Sequence, residues 1–182
     1  IITGIGQGYI QTTPIQLCLM IAQIANGGFK IYPKIVLNDD NEVSYKEDKF
    51  TPLFKNSKNI KIVQDAMFSS TNEVRGTSYK SRIDDPKYQF AGKTGTAQVK
   101  RITELDRELD LRTFEIPYEE RDHALYVAYG PYQSPRYAIS ILIEHGGSGG
   151  SVAAPLAKKL FKKIIDRHEV RKNFETKKYL NI

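Results

Sequence analysis

The stretch AGKTGTAQV, from Ala91 to Val99, is the part of this sequence around which the rest can be organised. It places a lysine, two threonines and two glycines before the apolar residue Val99, a pattern that is typical of a strand edge that faces a ligand. At Lys93-Thr94-Gly95-Thr96, the ammonium and hydroxyls would stand beside an open groove and bind a carboxylate or a carbonyl. Gly95 carries no side chain, so a ligand could approach the strand backbone closely.

Two other interpretations of this stretch compete with a ligand-binding strand. Gly92-Lys93-Thr94 resembles the end of a phosphate-binding loop, but that loop requires a glycine five residues before its Gly-Lys pair. Position 87 is Lys87, so the pattern fails. A lone Lys-Thr-Gly also occurs in ordinary twisted strands with a glycine bulge, and the tripeptide by itself leaves that alternative open.

Composition sets broad limits on the protein. A chain of 182 residues can bury roughly 70% of its unfolded surface, and 40% hydrophobic with 26% charged residues is ordinary for a soluble globular domain. The net charge of +6 suits an anionic neighbour, although solvated lysines explain most of it. The single Cys18 excludes an internal disulfide. No apolar run reaches membrane-spanning length, and no signal peptide is visible in these residues. Because the chain begins with Ile1, we expect a fragment that starts within a domain.

A helix start is well marked near the beginning of the chain. Thr13 as N-cap, Pro14 at the first helical position and Gln16 as the third residue form a capping box. The segment from Ile15 to Ile24 is apolar almost all round, so we expect this helix to be buried. Asn26-Gly27-Gly28 would end it.

A second helix is predicted from Ser57, as its cap, to about Ser70. Its apolar face would carry Ile60, Val63 and Met67. Between the first two helices we expect a short extended segment from Phe29 to Leu37, followed by a polar loop.

Two antiparallel strands are predicted at 124–129 and 137–144, around a Gly130-Pro131 turn. The segment 101–122 before them is rich in charges of both signs, and we expect a solvated loop or arm. The second strand should present one apolar face, made of Tyr137, Ile139, Ile141 and Ile143.

The last helix is predicted to begin after Ser151 as N-cap, with Pro155 tolerated in its first turn. A membrane-surface role was weighed, but a helix lying on the sheet with a solvated lysine face is favoured. The tail at 171–182 is charged and is expected to fray. The predicted apolar side comprises Val152, Leu156, Leu160, Phe161, Ile164 and Ile165, and the basic side Lys158, Lys159, Lys162 and Lys163.

Taken together, these features show a resemblance to the penicillin-binding transpeptidases, of whose three motifs Lys93-Thr94-Gly95 is the third. More narrowly, the chain resembles their class B, elongation-type group, penicillin-binding protein 2. The resemblance covers nearly the whole chain, and its parts occur in the family's order. They are GIGQGYIQTTPIQL, RGTS at 75–78, AGKTGTAQV, RDHALYVAYGP, and ILIEHGGSGG followed by SVAAP.

The resemblance implies an α/β (α+β) fold of the β-lactamase/transpeptidase type, an antiparallel sheet flanked by helices, of which residues 1–182 would be the C-terminal portion. It implies D,D-transpeptidation of peptidoglycan stem peptides through an acyl-serine, and trapping by β-lactam antibiotics. Lys93 would be the catalytic residue of this portion, supporting proton transfer. Thr94, Gly95 and Thr96 would bind the substrate or β-lactam; both threonines would hold its carboxylate, and the Thr96 amide would be one oxyanion-hole donor.

The same resemblance implies a location and partners. We expect a parent protein at the periplasmic face of the bacterial inner membrane, anchored by an N-terminal segment before Ile1. Its partners would be peptidoglycan strands and an elongation glycosyltransferase complex. No cofactor is expected. Nucleic-acid binding is not expected either, since the aromatic residues are scattered and the lysines cluster on one helix.

The sequence also departs from the family pattern. No S-x-x-K occurs, and the resemblance places both the S-x-x-K and the S-x-N motifs upstream of Ile1. We therefore expect this chain to be inactive alone. Loss of a central helix would expose apolar surface, so self-association or domain exchange of the fragment is expected.

Other chemistries compete with this interpretation. Gly146 to Gly150 matches the G-x-S-x-G of a nucleophile elbow with Ser148, for which Asp166 and His168 are the later acid and histidine. A non-catalytic β-lactam-sensing module would share the same strand. We expect no metal site, because none of the three histidines has a ligand-spaced partner; for His123, a local pair with Asp122 is favoured.

Overall fold

The computed structural model describes residues 10–33, 51–100, 108–109 and 111–180. They form an antiparallel sheet with helices packed on both faces, which confirms the fold predicted from the sequence. No helix within these ranges is long and apolar enough to cross a membrane. The extended segment predicted beyond Pro33, the polar loop as far as residue 50 and much of the charged segment after Lys100 lie outside the described residues.

The sheet has three strands in the order β1-β2-β3. They are Ala91–Ala97 (β1), His123–Gly130 (β2) and Tyr137–Ile143 (β3), each antiparallel to its neighbour. β2 and β3 are rich in branched and aromatic side chains, which pack well on a pleated surface. The register places Gly95 opposite Leu125.

A long helix, Ala154–Leu180 (α3), covers one face of the sheet. Phe161 is fully buried, and its ring stacks on Phe90 with centroids 4.9 Å apart. The predicted apolar face of β3 packs against this cluster, as expected. The helix continues through 171–180, the segment that the sequence predicts to fray.

The stripe of α3 that faces the sheet differs from the predicted one. Ala154 and Ala157 are buried beside Phe161, whereas Leu156 and Leu160 are 38% and 41% exposed. Small residues let the helix backbone come close to the strands, so the bulkier leucines, and Val152 with them, are turned outward. The prediction that Val152, Leu156 and Leu160 lie on the buried side of this helix was therefore wrong.

The start of this helix also differs from the prediction. A π-helical turn, Gly149–Ala153, precedes α3, and the Ser148 hydroxyl accepts a hydrogen bond from the Ser151 amide at 3.4 Å. Ser148, rather than Ser151, is thus the N-cap. The extra turn lies one residue after the cap and leaves no signal in the apolar periodicity.

Two helices cover the opposite face, Pro14–Ala25 (α1) and Ser57–Asn72 (α2). They bury Ile21 and Met67 against Ala91 and Tyr129. The predicted capping box of α1 is confirmed.

The predicted burial of α1 was wrong. Ile21 is buried, but Ile15 is 61% exposed and Met20 44% exposed, because α1 contacts the sheet along one side only within the described part of the chain. α2 begins as expected, but Asn56 rather than Ser57 caps it, through an amide oxygen that accepts from Lys58 N at 3.0 Å. Val63 of its predicted buried face is 40% exposed.

Candidate functional site

The predicted ligand-binding edge is the side of β1 that faces away from β2. At its beginning this edge is covered by the end of α2: the Asn72 side-chain amide donates to Phe90 O at 2.9 Å, and the Thr71 hydroxyl to Gly92 O at 3.4 Å. Beyond Gly92, no strand of the described chain pairs with this edge. Within the described part of the chain, the backbone from Lys93 onward is therefore unpaired on this side and accessible to a ligand.

Lys93 lies at the point where the edge becomes open. Its side chain is exposed, and Nζ donates to the backbone oxygen of Thr94 at 2.9 Å and to the Thr94 hydroxyl at 3.2 Å. None of the ion pairs in the described residues involves Lys93. Its positive charge is therefore held beside Thr94 and can be neutralised by an anionic ligand.

The two threonines of the motif follow along the same strand. Thr94 is partly buried and Thr96 is exposed, and residues two apart project to the same side of a strand. The structure therefore places Thr94 and Thr96 on one side of β1, with Lys93 Nζ bonded to Thr94; the roles of all three residues toward a substrate stay predictions.

A shallow pocket of about 290 Å³ adjoins this edge on the α2 side. Thr77 lines this pocket and contacts the motif, since its hydroxyl is 3.2 Å from the Thr94 hydroxyl. Sequence reasoning missed Thr77, although the RGTS segment was among the family-like stretches. The pocket is lined by Ser69, Ser70, Glu73, Arg75, Gly76, Thr77 and Lys93.

A buried hydroxyl network lies beneath the beginning of β1. The Tyr126 hydroxyl is 3.0 Å from both the Thr71 and the Ser78 hydroxyls, and all three residues are fully or almost fully buried. A Cβ at Gly92 would lie 2.3 Å from the Tyr126 oxygen, so only glycine leaves room for this tyrosine. Burial raises the pKa of Tyr126 above its usual value, and its two hydroxyl partners oppose that shift.

The glycine turn that follows β3, residues 146–150, packs on the same strand from the other side. A Cβ at Gly149 would lie 2.3 Å from Leu125 O and 2.6 Å from Gly95 O. Gly149 is thus the residue that this close backbone packing requires, because its missing Cβ lets the turn rest on the Gly95 backbone.

This geometry bears on the nucleophile-elbow alternative. Ser148 has φ −117° and ψ 124°, which is ordinary extended backbone, and its side chain caps a helix. At 1.5 Å per residue, Asp166 and His168 lie roughly 18 and 21 Å beyond the first residue of α3. Asp166 accepts hydrogen bonds from Tyr88 and Lys87, far from Ser148 along the helix. The arrangement is that of a helix cap rather than of a strained catalytic elbow.

The two histidines near the end of the sheet, His123 and His145, are in contact with each other. The His145 amide donates to His123 Nδ1 at 3.0 Å, and His145 itself has a left-handed φ of 55°. Asp122 accepts instead from the Val99 amide at 3.3 Å, so the predicted His123–Asp122 pair was wrong. Among the described residues, no group of three or more metal-ligating side chains is arranged to hold a metal ion.

The expectation that no S-x-N tripeptide occurs in this chain was wrong. Ser57-Lys58-Asn59 and Ser70-Thr71-Asn72 both satisfy the pattern. The first opens α2, and in the second the asparagine side chain is directed to Phe90 O and Phe68 O. Ser70 alone reaches the pocket beside Lys93, so neither tripeptide places both of its polar residues in that pocket.

Comparison with known proteins assigns the family. The family profile described as "Penicillin binding protein transpeptidase domain" matches residues 1–162. The chain belongs to this family. Among curated proteins, it is 34% identical over 174 residues to the peptidoglycan D,D-transpeptidase MrdA of Salmonella typhimurium, covering 90% of this chain and 26% of that protein. For MrdA of Escherichia coli K12, identity is 31% over 167 residues, with 90% and 25% covered.

Solved structures give the same assignment. The fold is similar to that of penicillin-binding protein 2 in a complex with MreC from Helicobacter pylori, with a TM-score of 0.71, 30% identity, and 91% of this chain and 27% of that one covered. For Pseudomonas aeruginosa penicillin-binding protein 2 in complex with WCK 5153, the TM-score is 0.69 and the identity 34%, over 89% of this chain and 32% of that one. The predicted resemblance to penicillin-binding protein 2 is thus confirmed. The chain spans about a quarter of the length of these curated relatives.

Proposed function

We propose that this chain forms part of the transpeptidase domain of a peptidoglycan D,D-transpeptidase and supplies one side of its active site. The observation that carries the proposal is the open edge of β1, along which Lys93, Thr94 and Thr96 lie beyond the part covered by α2. The family match and the names of the relatives support the reaction class.

In the proposed reaction, a serine from another part of the same domain attacks the carbonyl of the penultimate D-alanine. The terminal D-alanine leaves with the proton that the serine gives up, and an amine of a neighbouring strand then displaces the serine to form the cross-link. Lys93 supports the proton transfer and the negative charge. Thr94 and Thr96 bind the terminal carboxylate, and the Thr96 amide donates to the developing oxyanion. A β-lactam acylates the same serine and stays attached.

The proposal extends to the setting of the protein. The longer protein would act at the periplasmic face of the inner membrane, on peptidoglycan strands and beside an elongation glycosyltransferase. The complex of a structural relative with MreC shows that a member of this family assembles with another protein.

The test is intact mass spectrometry after incubation with excess benzylpenicillin. We expect an adduct on the longer protein and none on this chain by itself. An adduct on this chain, mapped to Ser148, would overturn the proposal in favour of the hydrolase alternative. Acylation of the longer protein without any transpeptidation of stem peptides would favour a β-lactam sensor.

A further inference from the structure

We propose that Thr77 is a positioning residue, which directs the Thr94 hydroxyl to donate a hydrogen bond to the carboxylate of a ligand on β1. The inference deepens the proposed function and rests on it. It starts from the contact of the two hydroxyl oxygens, 3.2 Å apart, between segments separated by 17 residues.

The turn that carries Thr77 is clamped to the end of α2. A Cβ at Gly76 would lie 2.3 Å from Ser70 O and 2.6 Å from Ser69 O, so the turn reaches this position only with glycine there. The Ser78 amide and hydroxyl both donate to Ser70 O, at 3.1 and 3.0 Å. Thr77, between these two residues, is therefore fixed relative to the helix.

The opposite side of Thr77 is held by the glycine turn. A Cβ at Gly150 would lie 2.8 Å from Thr77 O and 3.7 Å from the Thr94 methyl carbon. Gly150 thus packs on both threonines at once. The Thr77 backbone therefore cannot move away from Thr94 unless α2 or the glycine turn moves with it.

Either hydroxyl of this contact can donate, and a carboxylate ligand, which only accepts, would set the direction. A hydroxyl has one proton and two acceptor positions, whereas a lysine ammonium only donates. Lys93 Nζ occupies one acceptor position of Thr94 Oγ1 at 3.2 Å. When Thr77 donates to the other, the Thr94 proton is left for the ligand.

The chain of donors extends one residue further. Ser70 Oγ lies 3.2 Å from Thr77 Oγ1 and can donate to it, so Ser70, Thr77 and Thr94 form a line of hydroxyls that ends at the groove. Each donation polarises the next hydroxyl and strengthens its bond. A bond to a carboxylate is the one that gains most, since charge-assisted hydrogen bonds are about twice as strong as neutral ones.

The test measures the second-order rate of acylation of the longer protein by a fluorescent penicillin. Thr77→Val keeps the shape and removes the hydroxyl, and we expect the rate to fall about three- to tenfold, as for one lost neutral hydrogen bond. Thr77→Ser should restore the rate. Ser69→Ala is the matched control in the same pocket, where Ser69 bonds to Glu73 at 2.8 Å, and it should change the rate less than twofold.

A double variant separates positioning from general damage. If Thr77 acts through Thr94, then Thr77→Val in a Thr94→Val background should lower the rate no further, whereas independent structural effects would multiply. Equal rates for the unsubstituted protein and Thr77→Val, or multiplied losses in the double variant, would overturn this inference. Absence of acylation in the unsubstituted protein would instead overturn the proposed function.

Discussion

Gly149→Ala tests whether the glycine turn rests on the K-T-G strand. The new Cβ would lie 2.3 Å from Leu125 O and 2.6 Å from Gly95 O, and both of these are backbone atoms that cannot rotate away. To reach a contact distance of about 3.4 Å, the turn must move off β1 by roughly 1 Å. Such overpacking costs about 1–3 kcal/mol.

The net effect on stability is smaller than this cost. Replacing glycine by alanine removes freedom from the unfolded chain, which stabilises by about 0.4–1 kcal/mol where the backbone permits it. Gly149 is not among the glycines with positive φ, so this gain applies. We therefore expect Gly149→Ala to lower the free energy of unfolding by about 1.3 kcal/mol at the centre of these ranges and by about 2.6 kcal/mol at most.

The assay is urea unfolding of this chain, followed by circular dichroism. Gly95→Ala is the matched control, because its Cβ would meet the Leu125 Cβ at 3.3 Å and no backbone atom within 4 Å. We expect its stability to stay within about 0.5 kcal/mol of the parent chain. If Gly149→Ala is as stable as Gly95→Ala, the turn does not rest on β1 and the reasoning is refuted. A stability loss should also be accompanied by shifted amide resonances at Gly95.

Three further results are expected. Ser148→Ala removes the cap of α3 and should cost about 0.5–1 kcal/mol in urea unfolding, while penicillin acylation of the longer protein stays unchanged; a large loss of acylation would revive the elbow. Tyr126→Phe removes the hydroxyl that joins Thr71 to Ser78; both of these keep a backbone acceptor, so the loss should be about 0.5–1.5 kcal/mol. Burial raises the pKa of Tyr126 above 10.0. The stability that this tyrosine contributes is therefore complete below pH 10.0 and is lost as pH rises through the pKa of the folded state. If the free energy of unfolding falls equally with pH in Tyr126→Phe, this expectation is contradicted. The Tyr88 hydroxyl, and then Lys87, hold the pKa of Asp166 below 3.8, so NMR titration should find a higher value in Tyr88→Phe, and an unchanged value would show that the hydroxyl contributes nothing.

The features that the sequence predicted correctly are those encoded by neighbouring residues. The capping box of α1 joins Thr13 to Gln16, three residues later, and the alternation in β3 repeats every second residue. The K-T-G strand was found from seven consecutive residues. Such patterns are visible in a short window because their hydrogen bonds and shared faces lie within it.

The features that the sequence missed depend on how elements meet. The distance at which α3 packs on the sheet decides whether Ala157 or Leu160 faces the strands. The apolar periodicity of the helix does not encode that distance. The exposure of Ile15 has the same origin, since burial needs a second surface to cover the helix. The cap at Ser148 was missed because a π-helical turn follows it.

The sequence alone thus determined the family, the three strands, the helices and the presence of Lys93, Thr94 and Thr96 on one strand. Only the tertiary structure placed Thr77 against Thr94 and Gly149 against Gly95. The reason is physical: strands, helices and caps follow from local backbone geometry, whereas these contacts exist only when α2, the glycine turn and β1 occupy their positions together.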